Sequence, residues 1–177
     1  MTDIEARTGA SLNRGRSKQD YGTPWSFVRA VEEKWGPMVC DLACTRENAR
    51  APAGYYFPEV DSLKADWSKD YPTGNLWLNP PFAFIDPWAE KCAWHGIRRD
   101  GLIFLLTPAS IGTDWFRARV WGNARVLGVS PRLMFEGTDD PYPKDLMLSI
   151  FGKATAGFDL WRWSADRLGA TEKGKER

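Results

Sequence analysis

Leu76-Trp77-Leu78-Asn79-Pro80-Pro81-Phe82 is the stretch that decides the reading. Leu76 to Leu78 is a short apolar run of strand type. Pro80 and Pro81 lack the N–H that a ladder requires, so the strand must stop at Asn79. Four residues on, Asp86-Pro87 opens a helix that carries Trp88 and Cys92 and runs to about His95. Asp is a good cap and proline suits the first turn. Gly101-Leu102-Ile103-Phe104-Leu105-Leu106 is then a second apolar strand, closed by Thr107-Pro108. Continuous apolar strands separated by a helix are the mark of parallel strands buried on both faces.

Working outward, the same grammar repeats. Upstream, Thr23-Pro24 predicts a helix whose Phe27, Val31 and Trp35 form one apolar stripe, ended by Gly36-Pro37. Met38-Val39-Cys40 predicts a strand ending at Asp41. Residues 42–75 read as irregular, with a short helix near Arg46 to Arg50. Downstream, Thr113 caps a helix carrying Trp115, Phe116 and Val120. Strands are expected near Val126–Val129, Leu133–Phe135 and Leu146–Phe151, with a last strand or turn over Phe158–Trp163. The fold class is α/β, a mostly parallel central sheet flanked by helices. One domain is expected over residues 21–165, between a polar arm (1–20) and a loose polar tail (166–177). Ligands of such sheets gather at the carboxyl ends of the strands, which here are Asp41, Asn79 and Thr107.

Composition narrows the chemistry. Lys and Arg total 24 against 23 Asp and Glu, so a strongly basic coat protein is excluded, but not a local basic surface. The longest apolar run, Leu102–Leu106, is far too short to span a bilayer, so no membrane partner is expected. The first residues have no apolar core of the secretory type. With three cysteines, Cys40, Cys44 and Cys92, reduced thiols and a cytoplasmic location follow. His95 is the sole histidine, which removes most zinc patterns and two-histidine acid–base schemes, so no metal is expected. As a residue late in its helix, His95 is placed where a positive charge is favourable.

Asn79-Pro80-Pro81-Phe82 carries the chemistry. A stiff turn holds an amide oxygen and a neighbouring main-chain carbonyl as two acceptors. Two acceptors facing one point suit an exocyclic NH2 group, and accepting both protons localises the nitrogen lone pair. Phe82 offers a stacking face, worth about 1–3 kcal/mol per base. Positioning and electrostatics suffice for an in-line methyl transfer. Simpler readings stand beside these: a strand-ending turn for the tetrapeptide, and a local cap for Asp41, Asn48 or Asp66. Four arginines, Arg117, Arg119, Arg125 and Arg132, fall between Trp115 and Phe135 with no Asp or Glu in that stretch, and Arg98 and Arg99 precede the central strand. They read as a solvated face or as phosphate contacts.

The chain resembles the phage-type DNA N-6-adenine methyltransferase (Dam) family. The likeness rests on Tyr21-Gly-Thr-Pro-Trp25, Cys40-Asp-Leu-Ala-Cys-Thr-Arg-Glu-Asn-Ala49, Asp66-Trp67, Leu76 to Phe82, Leu106-Thr-Pro-Ala-Ser110 and Thr113-Asp-Trp-Phe116, and more loosely on Pro131 to Phe135. It implies a Rossmann-like methyltransferase fold, S-adenosylmethionine as methyl donor, DNA as partner and, for a phage-encoded chain, a bacterial host cytoplasm. No obligatory protein partner is implied. By resemblance Asn79, Pro80, Pro81 and Phe82 are catalytic. Thr23, Pro24, Asp41, Ala43, Asn48, Asp66 and Asn79 bind the donor. The residues themselves, rather than the resemblance, put Phe82 as a stacking face and Arg117, Arg119, Arg125 and Arg132 as phosphate contacts against DNA. The sequence departs from the pattern in having Asp41-Leu-Ala-Cys44 where a G-x-G would follow the first strand, and Phe82 where Tyr is commoner. An RNA base or a protein glutamine amide presents the same planar NH2, and a non-catalytic DNA-binding protein could keep the same fold. Chain length leaves little room for a separate recognition domain, so a short target read by loops 50–69 and 135–145 is expected. A target adenine in a duplex must be flipped out to reach a strand-end pocket.

Overall fold

The computed structural model describes residues 22–56 and 59–164; the arm over 1–20 and the tail over 166–177 lie outside them. The apolar runs become strands β1 (Met38–Cys44), β2 (Ala53–Tyr56), β3 (Asn75–Leu78), β4 (Ile103–Pro108), β5 (Ala124–Ser130), β6 (Leu146–Phe151) and β7 (Gly157–Arg162). Among the described residues they form one sheet in the order β2-β1-β3-β4-β6-β5-β7. β6 is antiparallel to both its neighbours; the other pairings are parallel. The α/β class and the mostly parallel sheet are therefore as the sequence implied.

Alternation sorts the side chains onto two faces. Leu76, Leu78, Ile103 and Leu105 face helix α3 (Asp86–Gly96) and a five-residue π-wound helical turn, Phe116–Val120. Trp77, Phe104, Leu106 and Leu148 face helix α1 (Trp25–Trp35) through Phe27, Val28 and Val31. Every residue of β4 is buried, which is why its sequence is apolar without a break.

Several elements differ from expectation for identifiable reasons. Asp41 lies inside β1 rather than at its end. It is tolerated there because its carboxylate accepts the backbone N–H groups of Ala43, two residues on in the same strand, and of Arg50 in the loop that follows. Residues 46–48 form a turn, with no helix over 46–50, because the Asn48 side chain accepts the Thr45 N–H (2.7 Å) and Asp41 takes that of Arg50. The irregular stretch contains β2 and a one-turn helix α2 (Trp67–Asp70). Leu133–Phe135 is a loop: both residues are buried anchors, so their alternation signalled burial rather than a ladder. Thr107 and Pro108 belong to β4. Pro24, not Thr23, caps α1, its carbonyl accepting from Phe27 and Val28 (2.9 and 3.2 Å). Ile85 caps α3, so Asp86 and Pro87 fall inside it. The helix expected from Thr113 is the π-wound turn, with no side-chain cap.

The chain leaves β1 for β2 on one side and returns to β3 on the other. Such a reversal opens a crevice between the carboxyl ends of the two inner strands, and Asp41 and Asn79 stand there.

Candidate active site

A cavity of about 350 Å³ fills that crevice. β1 supplies Asp41, Ala43 and Cys44; β3 and the turn after it supply Trp77, Asn79 and Pro81. The loop after β1 adds Thr45, Asn48 and Arg50, and Gly22-Thr23 forms a lip. The outer wall is Val60, Asp61, Ser62 and Leu63, with Trp88 of α3. Concave, mostly apolar walls with a few convergent polar groups are what a small-molecule site requires.

Asp41 organises the floor. One carboxylate oxygen accepts the Ala43 N–H (3.2 Å), the other the Arg50 N–H (2.9 Å). Burial raises its pKa to about 6, against the pull of those two N–H groups and the Arg50 charge. The Thr23 hydroxyl is buried and has no hydrogen-bond partner among the described residues. Cys44 is a buried thiol whose pKa burial pushes up, so it behaves as an apolar wall.

Arg50, only 3% exposed, links three segments. Its Nε donates to the Thr23 carbonyl (2.6 Å), its guanidinium pairs with Glu136, and it lies over the Trp25 ring (5.0 Å). The Glu136 N–H in turn donates to the Gly22 carbonyl (2.9 Å). A Cβ on Gly22 would stand 2.7 Å from the guanidinium and 2.8 Å from the Glu136 carboxylate, so a side chain there would displace the ends of this pair. Beside it, Phe82 meets the rings of Phe135 and Tyr142 at 6.3 and 5.7 Å.

Of the residues expected to hold a donor, Thr23, Asp41, Ala43, Asn48 and Asn79 converge on the cavity. Pro24, Pro80 and Phe82, next to lining residues in the chain, do not themselves line it. Asp66 is elsewhere: it caps α2, accepting from Ser68 and Lys69 N–H groups. Asp61, five residues earlier, takes the place on the wall. Its only local sign is an Asx turn, with Asp61 Oδ1 accepting the Leu63 N–H (3.1 Å). Arg50 had no such sign, because its partners lie 27 and 86 residues away.

The arginines do not form a bare basic patch. Arg117 pairs with Asp114, Arg119 with Asp86 and Glu90, Arg125 with Asp159 and Arg132 with Asp145. Apart from Asp114, three residues from Arg117, carboxylates distant in sequence fill the gap that the local composition left. Arg125 is the second residue of β5, about 17 Å along the strand from the carboxyl edge. Arg99 is buried, donating to the carbonyls of Tyr71, Thr73, Gly74 and Leu102. Arg98 covers the Trp94 ring (4.0 Å).

Comparison with known families places this geometry. The profile described as DNA N-6-adenine-methyltransferase (Dam) matches residues 11–144, most of the chain. The chain belongs to that family. The Dam match takes in the lip, β1 to β5, the proline turn and Glu136, and ends before β6. Two phage proteins, each named DNA N-6-adenine-methyltransferase, resemble it. The one from Escherichia phage T1 is 26% identical over 160 residues, 88% of this chain and 65% of the relative. The one from Haemophilus phage HP1 is 26% identical over 106 residues, 59% of this chain and 58% of the relative. The chain thus spans roughly three-fifths to two-thirds of the length of these Dam relatives.

Proposed function

We propose that this protein transfers a methyl group from S-adenosylmethionine to N6 of adenine in DNA, on a Rossmann-like methyltransferase domain. The observation that carries the reading is the position of Asn79 and Pro81. The turn suited to grip an exocyclic amine lines the same cavity as Asp41 and Thr23. Membership of the Dam family and the names of the two phage relatives support the choice of DNA adenine.

The cavity suits the donor. Its volume is that of a small-ligand site, Trp77, Trp88 and Leu63 offer apolar walls, and the buried Thr23 hydroxyl is left to bond whatever enters. When bound, S-adenosylmethionine supplies an electrophilic methyl group on a sulfonium. Thr23, Asn48 and Asp61 are the polar residues placed to hold it, and Asp41 acts through the loop it ties down. Asn79 Oδ1 and the adjacent main-chain carbonyl accept the two N–H bonds of the adenine amine. That draws the nitrogen lone pair out of the ring and aims it. Phe82, braced by Phe135 and Tyr142, provides the face on which the base stacks. Host cytoplasm is the matching location for a phage enzyme.

Incubation with S-adenosylmethionine and unmethylated plasmid, followed by mass analysis of nucleosides, tests the proposal. N6-methyladenine is the expected product. Methyl transfer confined to RNA or protein, or none, overturns it.

A further inference from the structure

Three of the loops that leave the carboxyl edge of the sheet, those after β3, β4 and β5, each point one large apolar side chain far into water. Phe84 is 74% exposed, Ile111 55% and Met134 49%. Single exposed apolar residues are ordinary on protein surfaces. Phe84 and Met134 differ in how they are mounted. Met134 stands between Leu133 and Phe135, both buried. Phe84 stands between the half-buried Phe82 and the buried Ile85, in a turn where its N–H donates to the Pro81 carbonyl (3.4 Å). The two mounts touch, because the Phe82 ring contacts Phe135. The loop carrying Met134 is also latched to the cavity lip through Glu136, Arg50 and Gly22. Inner residues hold each loop down while one apolar residue is presented outward, Phe84 three residues beyond the cavity-lining Pro81 and Met134 two residues before the Glu136 that is latched to the lip. Leaving a phenylalanine in water forgoes roughly 1.5–3 kcal/mol of burial.

A duplex supplies a partner of matching chemistry. An adenine must leave its stack to reach the cavity, and unstacking costs a few kcal/mol. Proteins that deform DNA insert apolar side chains between base steps and open the stack there. Phe84 is two residues beyond Phe82, so its Cα lies within about 7 Å of the residue that would stack on the displaced base. We propose that Phe84 is a wedge that enters the duplex where the target adenine leaves it, with Met134 covering the neighbouring step. This rests on the adenine-methyltransferase reading. It goes beyond that reading by giving the paired duplex its own recognition element, outside the residues that hold donor and base.

The test compares initial methylation rates on one plasmid in two forms, intact duplex and heat-denatured single strands. Wild type, Phe84→Ala and Phe84→Trp are each assayed on both. Because the two substrates meet the same preparation, any loss of folded protein cancels in the duplex-to-single-strand ratio. The wedge requires that ratio to fall about tenfold or more in Phe84→Ala, through loss on the duplex, and to recover in Phe84→Trp. An unchanged ratio in Phe84→Ala overturns the wedge, as does a wild type active only on single strands. Both results leave the adenine-methyltransferase reading intact. A wild type that methylates neither substrate removes that reading, and the wedge with it.

Discussion

Two corners of this molecule look alike in chemical content and differ in what they can do. One is the floor of the crevice, where Asp41 is buried and its pKa is raised to about 6. The other lies between α2 and α3, where His95 is buried and its pKa is lowered to about 4, first by burial and then by the nearby Lys91 charge. Each has aromatic neighbours and several side chain to main chain bonds. At His95 the bonds close on one another. Nδ1 accepts from the Ser68 hydroxyl (2.7 Å) and N–H (3.2 Å), and the ring stacks on Trp67 (5.1 Å). Trp67 Nε1 donates to the Ser62 carbonyl (3.0 Å), and Lys91 to the carbonyls of Leu63 and Ala65. At Asp41 the bonds fold a loop around open space, and a buried hydroxyl is left for a ligand. A perturbed pKa therefore does not locate the site; the cavity does. The His95 corner still serves it, because Ser62 and Leu63, held from behind by Trp67 and Lys91, form the cavity wall.

The contrast can be broken or sharpened by experiment, beginning where the effect is largest. Asn79→Ala should lower methyl transfer roughly a hundred- to a thousand-fold, the usual cost of removing one positioned polar group from a reacting centre. Its melting temperature should stay near wild type, and a large drop would move Asn79 from chemistry to packing.

Asp41→Asn comes next. An amide cannot accept on both arms, so one buried N–H, of Ala43 or Arg50, loses its partner. Urea unfolding should show a loss of about 1–3 kcal/mol, with weakened donor binding as the loop opens. The variant also tests a pH effect of known sign. In the folded state Asp41 holds its proton up to about pH 6, while the unfolded chain releases it near 4. Its ionisation therefore lowers stability as pH rises through that window. The advantage of wild type over the variant should shrink from pH 4 to 6 and be flat above 7.

The His95 corner should respond in the opposite sense. The unfolded chain takes up a proton near pH 6.5, the folded one only near 4. This group's contribution is complete above 6.5 and is lost as pH falls toward 4. His95→Gln should flatten that part of the stability profile and leave methyl transfer at pH 8 close to wild type. A large activity loss there, at unchanged stability, would make the corner part of the site.

The smallest effect is expected at Arg125, on the far edge of the sheet and paired with Asp159. Arg125→Ala should leave DNA affinity and its salt dependence within about twofold of wild type.

Much of this was legible in the chain because it is local. Apolar runs ended by proline announced β3 and β4, and the spacing of Phe27, Val31 and Trp35 announced α1. The helix over 86–96 followed from Asp-Pro and its apolar residues. What failed was equally physical. Asp41 looked like a strand end, since an ionisable group inside a strand is costly, and only the two N–H groups that fold back onto it make the position tolerable. Leu133 and Phe135 alternate like a strand, yet serve as loop anchors beneath Met134. The arginine run looked unopposed because its counter-charges lie elsewhere, Asp159 being 34 residues from Arg125.

By itself, the amino-acid order determined the α/β layering and the proline turn over Asn79–Phe82 that ends β3. Periodicity, missing N–H groups and side-chain chemistry are properties of neighbours along the chain. Tertiary structure alone decided which polar groups share the crevice. It brought Thr23, Asp41, Asn48 and Asp61 around Asn79, and Arg50 onto Glu136, while it turned Asp66 and Arg125 away. Burial and charge pairing depend on distance through space, which the chain reaches only once the sheet has closed.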